Sequence, residues 1–299
     1  MIHKKNVFLD SNTEIAVIMI CFPNAKINLG LYITERRPDG YHNLETIFLP
    51  IPLTDVLETR PLDFYDKEYE FIPAGIPIPG MPEDNLVVRV FLDLKREFHL
   101  PPQTIHLYKR IPTGAGLGGG SSDAAFMMRM LSEQFHLSLT PSDMERRLSQ
   151  YGADCPFFVR NRPSLGKGIG DVLSPVDIDL SHLTLLLIKP NIAVSTRDAY
   201  AGVHPQAPVN TLTEAIKQPI TLWKELISND FENTVFLKHP PIAAIKQTLY
   251  DMGALYVSMS GSGSAVCALM KHEVEEAKDV FPNCFVFQQR FKLHQETFS

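Results

Sequence analysis

A glycine-rich run constrains this chain more than any other feature of its sequence. Five of the seventeen glycines fall within residues 114–120, and a segment rich in Ala, Met and Leu follows at residues 124–135. Glycine lets backbone N–H groups turn towards an anion, and the N-terminus of a helix carries partial positive charge. A strand is predicted before the run, at residues 104–111. This order of strand, glycine loop and helix indicates a phosphate-binding site, with a flexible turn as the alternative.

Two familiar phosphate loops can be compared directly with this run. Gly114, Gly116 and Gly119 satisfy G-x-G-x-x-G. A dinucleotide site also needs an acidic residue at the end of the next strand, whereas Glu133 lies inside the predicted helix. The Walker pattern needs Lys and then Ser or Thr after its last glycine, whereas Gly119, at the matching position, is followed by Gly120 and Ser121. If the reaction is phosphoryl transfer, a lysine or another charged group from elsewhere in the chain is therefore expected to reach the terminal phosphates.

Length, charge and cysteine usage narrow the class of protein. With 299 residues the chain is long enough for about two domains. Its net charge of −6 gives no general attraction for nucleic acid or anionic lipid, so a small-molecule ligand is expected, with no nucleic-acid or membrane partner. The apolar run at residues 15–22 is far shorter than the ~20 residues that cross a bilayer. The cysteines form no C-x-x-C pair and favour a cytoplasmic location, and no H-E-x-x-H motif is present, so no protein-built metal site is assigned.

Hydrophobic periodicity and turn residues predict the remaining elements. The predicted strands are residues 15–22 (strand or leader), 26–33, 44–51, 104–111, 156–159, 183–188, 255–259, 265–270 and 284–288. One predicted helix follows the N-cap candidates Glu83-Asp84-Asn85, runs to about Phe98 and carries an apolar stripe of Val87, Val90, Phe91 and Leu94. The other predicted helices are residues 124–135, 241–252 and 272–280 and a helix that begins at the Thr140-Pro141 cap and ends before Gly152. A domain boundary is expected near residues 175–182, which gives an N-terminal domain at residues 19–180, a C-terminal domain at residues 181–299 and a leader of uncertain status at residues 1–18.

Several ordered motifs resemble those of the GHMP kinase superfamily. The run Pro112 to Ala125 (PTGAGLGGGSSDAA) is similar to the superfamily's ATP loop, in the form found in the branch that phosphorylates 4-diphosphocytidyl-2-C-methyl-D-erythritol in non-mevalonate isoprenoid synthesis. Other segments agree with that branch: PNAKINL at residues 23–29, RPDGYH at 37–42, GADCPFF at 152–158 and MSGSGS at 259–264. The resemblance implies an α+β fold with two domains, the first like ribosomal S5 domain 2 and the second ferredoxin-like.

The same resemblance implies a reaction and two catalytic residues. ATP is the co-substrate, Mg²⁺ accompanies it, and the γ-phosphoryl group passes to the 2-hydroxyl of the cytidine diphosphate conjugate. Asp154 matches the general base of the family, although a turn carboxylate is the plain alternative. Lys26 is implied to lie beside Asp154 and to hold it ionised; the alternative is an edge lysine that points to water.

The resemblance also implies the residues that bind the two substrates. Asn28 shares the strand face of Lys26 and can hydrogen-bond the same substrate. Tyr41 stacks on the pyrimidine, His42 reads its polar edge, and Tyr200 closes the other face of the stack, with loop packing and a core tyrosine as the alternatives. The nucleotide is held by the phosphate loop: Pro112, Thr113, Gly114, Ala115, Gly116, Leu117, Gly118, Gly119, Gly120, Ser121 and Ser122.

The third motif, MSGSGS at residues 259–264, is implied to fold back onto the phosphate loop and to support it, whereas its composition alone also fits a hairpin. A neighbouring GHMP enzyme for mevalonate, homoserine or a sugar is the first alternative function; a non-catalytic sensor and a dehydrogenase are more distant ones. We expect a monomer or weak homodimer. The resemblance begins near Met19, which is therefore a candidate start of the native protein.

Overall fold

The computed structural model of this chain describes residues 2–7, 16–62 and 67–292. Apolar alternation and continuous apolar runs give thirteen strands within this part of the chain. In chain order they are β1 (Ile2–Val7), β2 (Ala16–Cys21), β3 (Asn24–Arg36), β4 (His42–Thr54), β5 (Val56–Pro61), β6 (Tyr69–Gly75), β7 (Gln103–Lys109), β8 (Ser164–Lys167), β9 (Val172–Pro175), β10 (Thr184–Pro190), β11 (Tyr256–Met259), β12 (Val266–Met270) and β13 (Cys284–Arg290).

The described residues also form ten α-helices, several of them only one turn long. They are α1 (Leu86–Phe98), α2 (Gly119–Gln134), α3 (Pro141–Leu148), α4 (Phe157–Arg160), α5 (Thr196–Tyr200), α6 (Leu212–Ala215), α7 (Trp223–Leu226), α8 (Phe231–Lys238), α9 (Pro240–Asp251) and α10 (Ala277–Val280).

Helices α1 and α3 begin where the sequence predicts, because each has a side-chain cap. Asn85 accepts a hydrogen bond from the N–H of Val87 at 2.9 Å and caps α1. Thr140 and Asp143 form a capping box at α3, and Pro141 occupies the first turn, where a missing N–H costs nothing. The apolar stripe of α1 is buried against α2 and the first sheet, as its spacing predicts.

Two sheets make up the first part of the molecule. One has five strands in the order β1-β2-β5-β7-β6, and α1 and α2 pack with it around a shared apolar core. The other has four strands in the order β3-β4-β8-β9, all antiparallel. Strand β1 lies at an edge and pairs with β2 throughout its length. Residues 2–7 of the leader are thus part of the sheet, and whether Met19 starts the native protein stays a prediction.

The second part is a four-stranded antiparallel sheet in the order β11-β12-β10-β13. Helices α5 to α9 connect its first two strands in chain order, and α10 connects its last two. This β-α-β-β-α-β order is the ferredoxin-like arrangement. The two-domain α+β architecture is therefore as predicted, while the boundaries at residues 19–180 and 181–299 stay predictions.

Three local predictions need correction. Residues 156–159 were expected to be a strand, but they lie in a short turn and in helix α4, where Phe157 and Phe158 are buried against α2. The helix expected at residues 272–280 is confined to α10, Ala277–Val280. Helix α2 starts at Gly119, five residues before the expected position, so the last two glycines of the run belong to its first turn. No helix in the described ranges is both long and apolar enough to span a membrane.

Candidate active site

The glycine-rich loop joins β7 to α2. Gly118 precedes the helix with φ +69° and, having no side chain, supplies no acceptor for the first N–H groups of α2. Gly116 has φ +75°, and a Cβ atom there would lie 1.9 Å from the carbonyl oxygen of Ser260. Only glycine fits that position without moving backbone. The loop therefore leaves helix N–H groups available to an anion, as the glycine run predicts.

An ion triad that sequence reasoning missed lies beneath this loop. Lys109 Nζ contacts a carboxylate oxygen of Asp55 and lies 2.6 Å from Asp123 Oδ2, and all three side chains are buried. Asp55 Oδ1 also accepts hydrogen bonds from the N–H groups of Arg110 at 2.5 Å and Ile111 at 2.8 Å. The triad thus connects the end of β7, the start of the loop at residues 110–111 and helix α2. No local sequence signal marks it, because Asp55 and Lys109 are 54 residues apart.

Burial sets the protonation of this triad. Desolvation raises the pKa of Asp123 to about 8, the Lys109 charge opposes that shift, and the Asp55 charge adds to it. Burial alone would lower the pKa of Lys109, but the charges of Asp123 and Asp55 raise it overall. Lys109 is therefore held as an ammonium, and Asp123 can carry a proton near neutral pH.

Strand β3 and the turn before α4 bring Lys26 and Asp154 together. Lys26 is 3% exposed, and its Nζ atom lies 3.2 Å from Asp154 Oδ2. The same ammonium donates to Asn28 Oδ1 at 2.7 Å, and Asn28 Nδ2 donates to Thr46 Oγ1 at 2.9 Å. The alternative of a water-facing edge lysine is thereby excluded. Asp154 keeps 36% of its side chain exposed, so a substrate hydroxyl can reach it.

These groups line a cavity of about 320 Å³, a size typical of small-ligand sites. The lining combines the phosphate loop, the lysine–aspartate pair, the third motif and several apolar or aromatic side chains, namely Gly114, Gly116, Gly118, Lys26, Asn28, Asp154, Gly261, Ser262, Gly263, Thr196, Tyr200 and Phe231. The cavity thus combines polar groups suited to phosphate with aromatic and apolar side chains.

Aromatic side chains lie at and beside this cavity: Tyr200 and Phe231 line it, whereas His42 does not. The rings of His42 and Tyr200 are stacked, with centroids 5.0 Å apart and planes inclined by 22°. Phe231, which sequence reasoning missed, meets Tyr200 edge-to-face at 4.7 Å. Burial, and then the nearby charge of Asp154, raise the pKa of Tyr200, so its phenol is neutral. Tyr41 is 63% exposed and is not among the residues that line the cavity.

The third motif lies against the phosphate loop, as expected from the resemblance. Ser260 Oγ donates to the carbonyl oxygen of Gly116 at 2.9 Å, and the N–H of Ala265 donates to Ala115 O at 3.2 Å. Ser262 Oγ lies 3.1 Å from Thr196 Oγ1 at the cavity. The loop at residues 260–264 therefore contacts both the phosphate loop and helix α5.

Ser121 and Ser122 place hydroxyl groups in the first turn of α2. Ser122 Oγ is buried without a hydrogen-bond partner, at the start of α2. Burial raises the pKa of the Cys155 thiol to about 11, so this thiol is protonated near neutral pH. Across residues 2–7, 16–62 and 67–292, no group of three or more His, Cys, Asp or Glu could hold a metal ion.

Comparison with known proteins places these features in one family. The model of the GHMP kinases N terminal domain matches residues 85–162, and that of the GHMP kinases C terminal domain matches residues 212–286. The chain is 53% identical over 273 residues to the 4-diphosphocytidyl-2-C-methyl-D-erythritol kinase of Bacteroides thetaiotaomicron, covering 91% of this chain and 100% of that protein. It is 49% identical over 271 residues to the protein of the same name in Parabacteroides distasonis, covering 90% and 98%.

Solved structures agree. A crystal structure of 4-(cytidine 5'-diphospho)-2C-methyl-D-erythritol kinase superposes with a TM-score of 0.72 at 30% identity, covering 90% of this chain and 98% of that one. A homoserine kinase from Cytophaga hutchinsonii has a TM-score of 0.62 at 16% identity, covering 95% of this chain and 96% of that one, a likeness of fold alone.

Proposed function

This chain belongs to the GHMP kinase family, and within it to the 4-diphosphocytidyl-2-C-methyl-D-erythritol kinases, and we propose that it transfers the γ-phosphoryl group of ATP to the 2-hydroxyl of that cytidine conjugate. The products are the 2-phosphate and ADP. ATP is the co-substrate throughout the GHMP kinases. The observation that carries the proposal is the 3.2 Å contact between Lys26 Nζ and Asp154 Oδ2 beside a glycine loop in one cavity.

Asp154 and Lys26 divide the work on the acceptor hydroxyl. Asp154 accepts the proton as the hydroxyl oxygen attacks phosphorus. Lys26, buried and hydrogen-bonded to Asn28, has a fixed direction and places its charge beside the Asp154 carboxylate. Asn28 also offers polar atoms to the substrate. Because these groups lie on a strand and a short turn rather than on a long loop, the hydroxyl meets a rigid arrangement.

The phosphate loop, residues 112–122, binds the ATP phosphates with the N–H groups at the start of α2. When bound with the nucleotide, Mg²⁺ would neutralise charge on the phosphoryl group that is transferred. The donor set fits such an ion, because Mg²⁺ on a nucleotide takes most of its ligands from phosphate and water and needs few from protein. The unpartnered hydroxyl of Ser122 and that of Ser121 would hold it.

The cytidine end is assigned to Tyr200, His42 and Tyr41. The stack of Tyr200 on His42 supports an aromatic platform for a flat base, and the T-shaped contact with Phe231 fixes the Tyr200 ring. Tyr41 precedes His42 in the sequence and, being exposed, is available to cover the base when substrate binds.

We also infer a cytoplasmic location and a monomeric or weakly dimeric protein. All four cysteines are free, and three of them are buried in the fold, which supports a reducing compartment. Light scattering after size-exclusion chromatography measures the oligomeric state.

The decisive experiment measures ADP release with ATP, Mg²⁺ and the cytidine conjugate, beside parallel reactions with mevalonate and homoserine. We expect turnover with the conjugate alone, lost by at least about 100-fold in Asp154→Asn and retained in Asp171→Asn, where the aspartate is exposed. Turnover of another acceptor would overturn the cytidine assignment. ATP binding without turnover of any acceptor would favour a sensor.

A further inference from the structure

The segment before α8 is fastened to the strand that carries the lysine of the active site. The carbonyl oxygen of Ser228 accepts a hydrogen bond from the N–H of Leu31, and the N–H of Asp230 donates to Leu31 O, both at 2.9 Å. The carboxylate of Asp230 accepts a further bond from the N–H of Ile33 at 2.7 Å. These bonds continue the edge of β3, so the segment has a fixed position relative to that strand.

Asn229, in the middle of this segment, binds the third motif. Its side chain is 2% exposed. Its amide nitrogen donates to the carbonyl oxygens of Met259 and Gly261, both at 2.8 Å, and its amide oxygen accepts from the N–H of Phe231 at 3.0 Å. A primary amide has two N–H donors, and both are used here. Asn229 thus holds the two carbonyl groups that flank Ser260.

Ser260 passes this constraint to the reacting groups. Its hydroxyl donates to the Gly116 carbonyl oxygen of the phosphate loop and lies 3.3 Å from Asn28 Oδ1. The N–H of Asn28 donates to the same hydroxyl at 3.2 Å. Asn28 in turn accepts from Lys26 Nζ at 2.7 Å. An unbroken series of hydrogen bonds and backbone links therefore connects Asn229 to the groups that meet both substrates.

We propose that Asn229 is a positioning residue for phosphoryl transfer, which sets the phosphate loop and Asn28 through Ser260. The expected effect on kcat rests on the proposed function, whereas the expected effect on ATP binding rests on the phosphate loop alone. Displacing a reacting group by about 1 Å can cost about 100-fold in rate. Loss of the two amide donors therefore affects turnover without removing any group that contacts substrate.

The test uses the full-length protein with Asn229→Asp, Ser260→Ala and the double variant. Asn229→Asp keeps the shape of the side chain but places an oxygen against two carbonyl oxygens. We expect kcat to fall about 10- to 100-fold, with KM for the cytidine conjugate changed less than about threefold. The kcat of the double variant should be no lower than that of the more damaging single variant, because both changes break one series of contacts.

Thr59→Val is the matched control, because Thr59 is equally buried and loses one side-chain hydrogen bond, to Gln134 Oε1 at 3.0 Å, in the first sheet. If Asn229→Asp does not fold, Asn229→Ser, which keeps one donor, replaces it in every comparison. Additive losses in the double variant, or a kcat no lower than that of Thr59→Val, would overturn the inference.

Calorimetric titration with ATP separates this inference from the proposed function, because it needs no acceptor. We expect the Kd for ATP to rise by a similar factor, about three- to tenfold, in Asn229→Asp, Ser260→Ala and the double variant, and to stay unchanged in Thr59→Val. Wild-type protein that binds ATP but phosphorylates no cytidine conjugate would refute the proposed function. Unchanged ATP binding together with unchanged kcat in the Asn229 variant would refute the positioning role.

Discussion

Lys109 Nζ lies 2.6 Å from Asp123 Oδ2 in the interior of the protein, with both side chains almost completely buried. The ammonium also contacts Asp55, so two carboxylates share one cation. Burying a charge without a partner is costly, and one lysine neutralises only one of the two carboxylates. Burial, opposed by the Lys109 charge and reinforced by that of Asp55, raises the pKa of Asp123 to about 8, and a proton on Asp123 relieves the surplus negative charge.

This arrangement predicts an unusual pH dependence of stability. Asp123 has a pKa of about 8 in the folded protein, above the ordinary aspartate value of 3.8 in the unfolded chain. At Asp123 the folded state therefore binds more protons than the unfolded state between these values, so the contribution of this residue to stability falls as pH rises. Asp123→Asn has no such proton to lose. We therefore compare the free energy of unfolding of Asp123→Asn with that of wild type. The difference, variant minus wild type, should rise between pH 5 and 8 by at most about 1.4 kcal/mol per pH unit.

Urea unfolding of both proteins at several pH values measures that difference. Asp143→Asn is the control, since hydrogen bonds from Thr140, and then the other contacts of this exposed carboxyl, lower the pKa of Asp143 below its ordinary value. The stability contributed by Asp143 is lost only as pH falls into the acid range, so this control should show no trend between pH 5 and 8. A flat difference for Asp123→Asn as well would mean that Asp123 stays ionised.

The close approach of Gly116 to the third motif predicts a second result. A methyl group on Gly116 would meet the carbonyl oxygen of Ser260 at 1.9 Å, and φ there is +75°. Gly116→Ala should therefore displace the phosphate loop as well as strain it. We expect a loss of about 2–4 kcal/mol of stability and at least a tenfold fall in kcat/KM for ATP.

Gly253→Ala separates strain from displacement. Gly253 has φ +90°, with no atom within 4 Å of the Cβ position, so alanine there suffers strain without a collision. We expect that variant to lose about 1–2 kcal/mol of stability and to keep its kcat/KM for ATP. Equal kinetic losses in the two variants would show that strain alone explains the effect.

Sequence reasoning predicts well the features that local chemistry determines. The cap at Asn85 and the apolar stripe of the helix define α1, and the glycine run predicts the loop before α2. Residues 156–159 were expected to be extended because the run Cys-Pro-Phe-Phe-Val is short and apolar, and that expectation was wrong. Periodicity does not distinguish a buried helical turn from a strand over so few residues.

The parts of the site that were missed depend on contacts between distant segments. Asp55 precedes Lys109 by 54 residues, and no spacing rule joins them. Asn229 lies in the short polar run Ser-Asn-Asp after α7, which by composition is an ordinary turn. Its two acceptors are 30 and 32 residues further on. The pairing of Lys26 with Asp154 was expected only through the family resemblance.

The ammonium of Lys26 gives the next prediction. Lys26→Met keeps much of the buried stem but removes the charge that faces Asp154 Oδ2 and Asn28 Oδ1. We expect kcat to fall about 100- to 1,000-fold, because the ammonium charge is lost and the hydroxyl of the acceptor substrate is no longer oriented. Lys271→Met, a change at an exposed lysine, should leave kcat within about twofold. A Lys26→Met variant with wild-type turnover would exclude a catalytic role.

Tyr200 stacks on His42, and two variants of Tyr200 distinguish the role of its ring from that of its hydroxyl. If the ring holds the base, Tyr200→Phe keeps the stacking face and the edge contact with Phe231, and KM for the cytidine conjugate should stay within about threefold of wild type. Tyr200→Ala removes about 1–3 kcal/mol of stacking, so that KM should rise about 10- to 100-fold while KM for ATP stays nearly constant. Initial-rate kinetics with each substrate varied in turn measure both constants. A rise in KM for ATP as large as that for the conjugate would place Tyr200 in general support of the cavity, and an equal loss in Tyr200→Phe would assign its contribution to the hydroxyl.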